Sequence, residues 1–535
     1  MRKGFATRND VEFFLRPRLR ALSDPFLLGN MDAAVTRILA ALDRREKIVV
    51  FGDYDVDGVT SLALLWEMLR SYPGAAAPEL FLPLRMEEGY GLSRESVERC
   101  IDQFAPQLLI AVDCGTSSAG EIADLKKRGV DVIVLDHHEP KSKLPGCIIV
   151  NPKTEQDSQF RYLCSVGIAF KVCHALLKKG PLPDFDLKSK LDLVALGTVA
   201  DIVPLIGENR TFVQRGALEI ARTSRIGLRR LMEASGVRPP ILTEDIGFRL
   251  GPRLNAAGRL SSAEQSLRLL ITTDEAEAEA LAKSLDQQNR ERQEVEQRIF
   301  LAADEQVAKD FDPARDAAIV VGAHEWHPGV LGIVASRLVR KYHRPTIVVG
   351  FDSSGLGKGS GRSIDSLSIV QALGCCAEFL EKYGGHEMAA GISIREDQFA
   401  NFRGAFLQSV RELVSDEILE PRLRIDHELS FPELSYDFLQ WHEMLQPFGN
   451  GNPQPVFYAR AVEPAAEPRV LNDKHVSLRL RQRNYHQRAI FFDGAAEPLP
   501  SAPWDVAFRV RRGEYQGESR LEMHIQAVRT SVADY

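Results

Sequence analysis

The first half of the chain alternates between two kinds of apolar pattern. Short continuous runs rich in Val and Ile occupy residues 47–53 (KIVVFGD), 79–84 (ELFLPL), 108–115 (LLIAVDCG), 131–138 (DVIVLDHH) and 147–152 (CIIVNP). Each reads as a strand buried on both faces. Residues 60–72, 93–104 and 118–129 instead space their apolar side chains as a helix does. Strand and helix in alternation predict an α/β domain with a parallel, doubly wound sheet, whose ligand site lies beyond the carboxyl ends of the strands.

Further along, the pattern changes three times. Residues 273–310 contain neither Gly nor Pro and are rich in Ala, Glu, Gln and Leu, which predicts one long helix. Its apolar stripe of Leu281, Leu285, Val295 and Ile299 is thin and interrupted by Gln288 and Arg292, so it reads as a link between lobes rather than a coiled coil. Residues 317–326 and 345–350 then read as strands around an amphipathic helix, a smaller α/β unit. Finally, residues 476–483, 505–512 and 519–529 alternate with period two, and several short strands of this kind predict an OB-like β-barrel. The division expected is an N-terminal segment at 1–46, the large α/β domain at 47–272, the connecting helix at 273–310, the small α/β domain at 311–418 and the barrel at 419–535.

Composition narrows the class. A chain of 535 residues needs more than one core. Its 67 basic and 74 acidic residues give a net charge of −7, so nothing attracts nucleic acid globally. No apolar run approaches the ~20 residues of a membrane-spanning helix, and residues 1–14 carry positive charge without an apolar stretch, so neither a membrane nor a secretory signal is expected. Seven cysteines without a C-x-x-C pair suit neither a disulfide framework nor a zinc site. A cytoplasmic monomer is the expectation.

The candidate chemistry gathers at the strand ends. The stretch FGDYDVDGVTS, residues 51–61, sets Asp53, Asp55 and Asp57 two apart and adds Gly58, which is how a calcium-binding EF-hand loop begins. A strand rather than a helix precedes it, and Leu64 stands where that loop needs its final Glu. Asp113 and the run Asp136, His137, His138 fall at the ends of two other strands. Carboxylates from three distant segments at one sheet edge suit a pair of divalent cations, which needs several acidic ligands, one of them bridging. Imidazole with carboxylate suits Mn²⁺, and an oxygen-rich set also admits Mg²⁺. In residues 355–366, glycines let backbone approach a ligand while Ser360 and Arg362 hold phosphate oxygens, the alternative being an ordinary Gly-rich loop. In the barrel, Arg479, Arg481, Arg509, Arg511 and Arg520 with Tyr485, Phe491 and Tyr515 make a basic, aromatic surface suited to single strands. Solvated arginines are the alternative there, and Glu514, Glu518 and Glu522 dilute the patch.

Asp136, His137 and His138, preceded by DYDVDG and VDCG and followed by GTVADIVPL at 197–205, resemble the signature of the DHH phosphoesterase superfamily in its usual order. GSGRS at 359–363 and GGHEMAAG at 384–391 are similar to the associated domain that closes over substrate in that family. With GPRLNAAGR at 251–259 and WHPGVLGIVASRLVRKYHRPTIV at 326–348, the likeness to its exonuclease branch covers nearly the whole chain. The resemblance implies that Asp55, Asp57, Asp113, His137 and Asp201 bind two Mn²⁺ or Mg²⁺ ions. Smaller relatives carry His four residues before the first Asp of the D-x-D pair; Phe51 stands here instead, and Asp53 is the candidate replacement, as in the exonuclease branch.

The resemblance further implies catalytic roles for His138, His386 and Asp113, and a 5′ phosphate held by Ser360, Arg362, Gly384, Gly385 and His386. Arg253 and Arg259 would meet the DNA backbone, surface salt bridges being the alternative. The activity implied is 5′ to 3′ hydrolysis of single-stranded DNA to 5′ mononucleotides, in repair and recombination, with a helicase and a single-strand-binding protein as partners. Two other readings stay open: a phosphoesterase of short oligonucleotides or cyclic dinucleotides, and a nucleic-acid-binding scaffold without activity.

Overall fold

The computed structural model describes residues 5, 7–84, 87–89, 91–141, 143–260, 262–496, 498–515 and 518–532, without the side chains of 259, 260, 514, 515, 518 and 519. Strands β1 (Ile48–Gly52), β2 (Glu79–Phe81), β3 (Leu108–Val112), β4 (Asp131–Leu135) and β5 (Ile148–Val150) form one all-parallel sheet in the order β2-β1-β3-β4-β5. From β1 the chain passes to β2 on one side and then to β3 on the other. The crevice at the carboxyl ends of β1 and β3 is therefore the switch point of the sheet, where ligands bind in such folds.

Both faces of the sheet are apolar. Ile48 and Val50 join the core that includes helices Val56–Arg70 and Ser165–Lys179, while Val49 and Phe51 join the layer that includes Arg94–Phe104 and Ala119–Lys127. This two-sided burial is what made the strands legible as continuous runs. Phe51 is fully buried and stacks on Phe81 with ring centres 4.9 Å apart. Its side chain belongs to that apolar layer.

The long helix runs unbroken from Glu275 to Asp310. Its buried stripe passes from Ala278 through Leu285, Arg292 and Ile299 to Val307. The expected interruption at Arg292 is corrected here: its guanidinium donates to Asn289 Oδ1 (3.1 Å) and Glu296 (2.9 Å), so it sits inside the stripe fully satisfied. Arg337, on helix Leu331–Tyr342 of the second lobe, donates to the same Glu296 at 3.2 Å and ties that lobe to the helix.

The second lobe holds β6 (Ile319–His324), β7 (Thr346–Phe351), β8 (Leu356–Arg362), β9 (Lys382–Gly385) and β10 (Ala389–Arg395) in the order β6-β7-β8-β10-β9. Only β6 and β7 run parallel. In the last domain, β12 (Phe457–Pro464), β14 (His475–Gln482), β15 (Tyr485–Phe491), β16 (Trp504–Tyr515) and β17 (Glu518–Thr530) close on themselves, since β12 pairs with both β16 and β14; β11 (His427–Glu428) and β13 (Arg469–Leu471) flank them. Five strands closed in this way make an OB-type barrel.

The barrel is clamped to the large α/β domain. Arg210 donates to the carbonyls of Phe14 (2.7 Å), Met444 (3.2 Å) and Gln446 (2.6 Å). Asn450 accepts from Leu205 N–H (2.7 Å) and donates from Nδ2 to the Ile202 carbonyl (2.8 Å), beside Asp201. Glu244 pairs with Arg511 of β16. Among the described residues no single helix is long and apolar enough to cross a membrane.

Candidate metal centre and phosphate-binding face

The acidic loop after β1 is shaped by its own backbone needs. Asp55 is the N-cap of helix Val56–Arg70, and its Oδ1 accepts the Gly58 N–H at 3.0 Å. A Cβ on Gly58 would lie 2.3 Å from the Asp53 carbonyl, so only glycine lets the helix close against the loop. Asp57 points the other way and accepts the N–H groups of Ser165 (2.7 Å) and Val166 (2.8 Å), the first residues of helix Ser165–Lys179. Asp113 directly follows β3 at φ +61°, and its Oδ1 accepts from Ser165 Oγ at 3.0 Å. Asp201 ends helix Leu191–Ala200.

His137 stands among these carboxylates. Its Nε2 lies 3.3 Å from Asp113, 3.5 Å from Asp201 and 3.8 Å from Asp57. Neither ring nitrogen makes a hydrogen bond, nor does Asp201 Oδ2, although all three atoms are buried. Burial, reinforced by the charge of His138, pushes the His137 pKa down to about 3, so the ring is neutral and able to act as a ligand. Burial and the neighbouring Asp55 push Asp57 up to about 7. The same two causes, joined by Asp57, hold Asp113 and Asp201 well above the usual carboxylate range. Without a cation, these groups are held where only protons relieve their mutual repulsion.

The ligand atoms of Asp57, His137 and Asp201 lie within 4.8 Å of one another, as do those of Asp53, Asp55 and Asp113. Asp113 also groups with His137 and His138, so it adjoins both sets. The orphaned imidazole and the raised carboxylates fit a pair of divalent cations, and oxygen donors with one or two imidazoles are the set that Mn²⁺ or Mg²⁺ accepts.

Sequence reasoning left the task of Asp136 open. Its Oδ1 accepts from His137 N–H (2.7 Å) and His138 N–H (3.1 Å) and lies 2.8 Å from His138 Nδ1, while Oδ2 accepts from Thr116 N–H (3.0 Å). Burial opposes its ionisation, yet these bonds and the His138 charge hold it far below the usual carboxylate range. In return, Asp136 outweighs the burial of His138 and raises the imidazole pKa. Asn151 fixes the same turn by donating to the His138 carbonyl (2.9 Å) and Thr116 Oγ1 (2.9 Å). A buried acid flanked by two histidines was the available signal for this second role.

In the second lobe, the reading of residues 355–366 as a ligand-approaching glycine loop is corrected. Most of this stretch is β8, a central strand. A Cβ on Gly357, Gly359 or Gly361 would come within 2.6 Å of Phe351, Ile392 and Ile347 respectively, so the glycines make room for the core. Lys358, Ser360 and Arg362 alternate onto the other face. Arg362 donates to Ser360 Oγ (3.1 Å) and the Gly361 carbonyl (2.8 Å) and forms no ion pair among the described residues. Burial lowers its pKa, the mark of a cation without its counter-charge. Gly332, in the first turn of helix Leu331–Tyr342, would place a Cβ 2.7 Å from Arg362 Nη2, so the positive end of that helix abuts the guanidinium. Gly384 and Gly385 lie in edge strand β9, where a Cβ on Gly385 would strike the Ala389 carbonyl at 2.3 Å. Exposed His386 directly follows β9.

Other arginines divide into two sets. Arg253 donates to Asp286 Oδ1 of the long helix (2.8 Å) and to the Arg249 carbonyl (2.7 Å), so it bridges two helices. The side chain of Arg259 lies outside the described residues, as does that of Tyr515. Arg511 is taken up by Glu244, and Arg509 beside it is half-buried with its Nε unpartnered. Both lie at the domain junction and not on an open face, because β16 is the strand that docks. Arg479, Arg481 and Tyr485 are exposed on the β14–β15 hairpin, Arg481 paired with Glu463. Arg488 stands directly opposite Arg479 and joins the arginine face, whereas Tyr485, opposite Gln482, lies on the other face of the hairpin; counting back from the turn between Gln482 and Tyr485 would have found both.

Comparison with known proteins matches three family descriptions: the DHH family, N-terminal domain, over residues 47–198; the DHHA1 domain over 316–415; and the RecJ OB domain over 425–527. The single-stranded-DNA-specific exonuclease RecJ of Dickeya dadantii is 35% identical, over 96% of this chain and 92% of its own. RecJ of Bacillus subtilis is 37% identical over 92% of this chain, which spans 62% of that relative's length. RecJ of Thermus thermophilus solved with Mn²⁺ superposes at a TM-score of 0.84 with 32% identity, over 98% of this chain and 74% of that one. With Mg²⁺ the corresponding values are 0.77, 29%, 99% and 74%.

Proposed function

The chain belongs to the RecJ single-stranded-DNA-specific exonucleases of the DHH family, and from that premise we propose that it degrades single-stranded DNA from the 5′ end by two-metal hydrolysis. The observation that carries this reading is the unbonded imidazole of His137 among Asp57, Asp113 and Asp201, beside a second set of Asp53, Asp55 and Asp113. These residues would hold Mn²⁺ or Mg²⁺, Asp113 adjoining both sets. The cations supply the charge that polarises the scissile phosphodiester and lowers the pKa of the attacking water.

The rest is done by the protein. Arg362 and Ser360, with the N-terminus of helix Leu331–Tyr342 behind them, hold the terminal phosphate and so set which bond reaches the metals. His138, its pKa raised and its ring aimed by Asp136, faces the scissile group from one lobe, and His386 faces it from the other; both help offset negative charge as it develops. The hairpin carrying Arg479, Arg481 and Arg488 holds the strand beyond the active site through phosphate contacts. Release of a 5′ mononucleotide and advance of the strand complete a cycle suited to repair and recombination.

One experiment tests this reading. The protein is incubated with Mn²⁺ and single strands labelled at either end, duplexes and dinucleotides. Labelled mononucleotide appearing first from the 5′-labelled single strand supports it. Cleavage of dinucleotides alone favours a short-oligonucleotide phosphoesterase, and binding without cleavage favours a scaffold.

A further inference from the structure

Helix Gly251–Leu260 carries the stretch GPRLNAAGR, whose arginines the family resemblance directed to the DNA backbone, with salt bridges as the alternative. One face of it touches the backbone of the Tyr54–Val56 loop and passes close to Ala200, so it lies beside both sets of metal ligands. Asn255 Oδ1 accepts the Val56 N–H at 3.2 Å. A Cβ on Gly258, one turn on, would lie 2.8 Å from the Tyr54 carbonyl. Asp55 is thus held between two contacts from a single helix. One turn before Asn255, a Cβ on Gly251 would lie 3.5 Å from the Cβ of Ala200, the neighbour of Asp201.

The Val56 N–H is one of the four at a helix start that have no partner within the helix. Asp55 spends its Oδ1 on Gly58, so Val56 needs a partner from elsewhere, and Asn255 provides it. The helix is itself anchored from behind, by Arg253 to Asp286 (2.8 Å) and by Ser266 Oγ donating to the Leu254 carbonyl (2.7 Å). It therefore acts as a rigid spacer between the loop carrying Asp55 and the helix end carrying Asp201.

We propose that Asn255 is a positioning residue that fixes the separation of the two cation sites by holding the Asp53–Asp57 loop against helix Gly251–Leu260. The inference rests on the two-metal reading above. Loss of the Asn255 acceptor lets the loop drift, and the pair of cations binds as two weak, independent ions.

The test is a calorimetric Mn²⁺ titration of metal-free protein, with the Mn²⁺-induced rise in Tm as a second readout, for the unaltered chain, Asn255→Leu and Asn255→Asp. Expected is two-ion binding by the unaltered chain, a loss of about tenfold or more in affinity for the weaker ion in Asn255→Leu, and recovery to within about threefold in Asn255→Asp, which keeps the acceptor. Exonuclease assays should show KM for single-stranded DNA unchanged and kcat recovered at high Mn²⁺. If Asn255→Leu does not fold, Gly258→Ala, which pushes on Tyr54, must show the same weakening. Equal Mn²⁺ affinity in all variants, or Asn255→Asp as weak as Asn255→Leu, overturns the inference. No Mn²⁺ binding by the unaltered chain overturns the two-metal reading itself.

Discussion

His138 Nδ1 stands 2.8 Å from Asp136 Oδ1, so the first residue of the DHH triplet serves the third. Replacing Asp136 with Asn keeps the shape but removes the charge and turns an amide toward the Thr116 N–H. The variant should lose about 1–3 kcal/mol of stability from the unsatisfied donor and ~10–100-fold in kcat. Because Asp136 raises the His138 pKa, the alkaline limb of the pH–rate profile should move to lower pH. A profile superimposable on the unaltered enzyme would rule out this role for the pair.

Asp113 adjoins both ligand sets, which makes it the most costly single carboxylate to lose. Asp113→Ala should reduce kcat by more than ~1,000-fold, since it removes charge from both cations. DNA binding, measured by fluorescence anisotropy, should survive. Retained turnover would mean that the shared ligand lies elsewhere.

The carboxylate cluster also sets a pH dependence. Asp57 is raised to about 7, and Asp113 and Asp201 are well above the usual range, against about 3.9 in an unfolded chain. The folded protein thus holds protons that the unfolded chain releases, and the stability they give is complete below about pH 4 and is lost as pH rises through about 7 and beyond. His137 is neutral above about pH 6.5 in both states and adds no slope there. The Tm of metal-free protein should fall as pH rises from about 4 to about 7, because Asp57, Asp113 and Asp201 outnumber the one opposing group, His137, and Mn²⁺ should raise it more at the higher pH because it replaces those protons. Equal rises at both ends, by scanning calorimetry, would count against the cluster as the metal centre.

Arg362 is a half-buried cation with no acid beside it among the described residues. Arg362→Ala should raise KM about 10–100-fold for 5′-phosphorylated strands, or roughly 1.4–2.7 kcal/mol, and leave strands ending in 5′-hydroxyl nearly unaffected. Comparing the two substrates isolates the contact; an equal loss on both would place the phosphate elsewhere.

The two sets of barrel arginines should separate in salt. Each phosphate contact on a single strand contributes about 0.7 to the slope of log K against log salt. Arg479→Ala or Arg488→Ala should lower that slope by roughly this amount. Arg511→Ala should leave it unchanged and lower Tm instead, because its partner is Glu244. A reduced slope for Arg511→Ala would return it to the DNA-binding face.

The parallel sheet was legible because its strands are apolar on both faces and end in acids, as with Ile110 to Asp113. The barrel was legible through its period of two. What stayed hidden depends on contacts distant in sequence. Glycines spaced for a strand core at 357, 359 and 361 look like a loop until Phe351 and Ile392 are placed against them. Arg292 looks like a break in a stripe until Asn289 and Glu296 satisfy it. Arg253 and Arg511 look unpaired until Asp286 and Glu244 are placed beside them. An arginine's partner is set by docking, which periodicity does not encode.

Arg210 ties carbonyls from the N-terminal segment and from the stretch leading into the barrel to one helix, and Asn450 adds two bonds to the loop after Asp201. So clamped, the barrel is a fixed gauge and not a swinging arm. The distance from its arginine hairpin to the carboxylate cluster is therefore built into the fold.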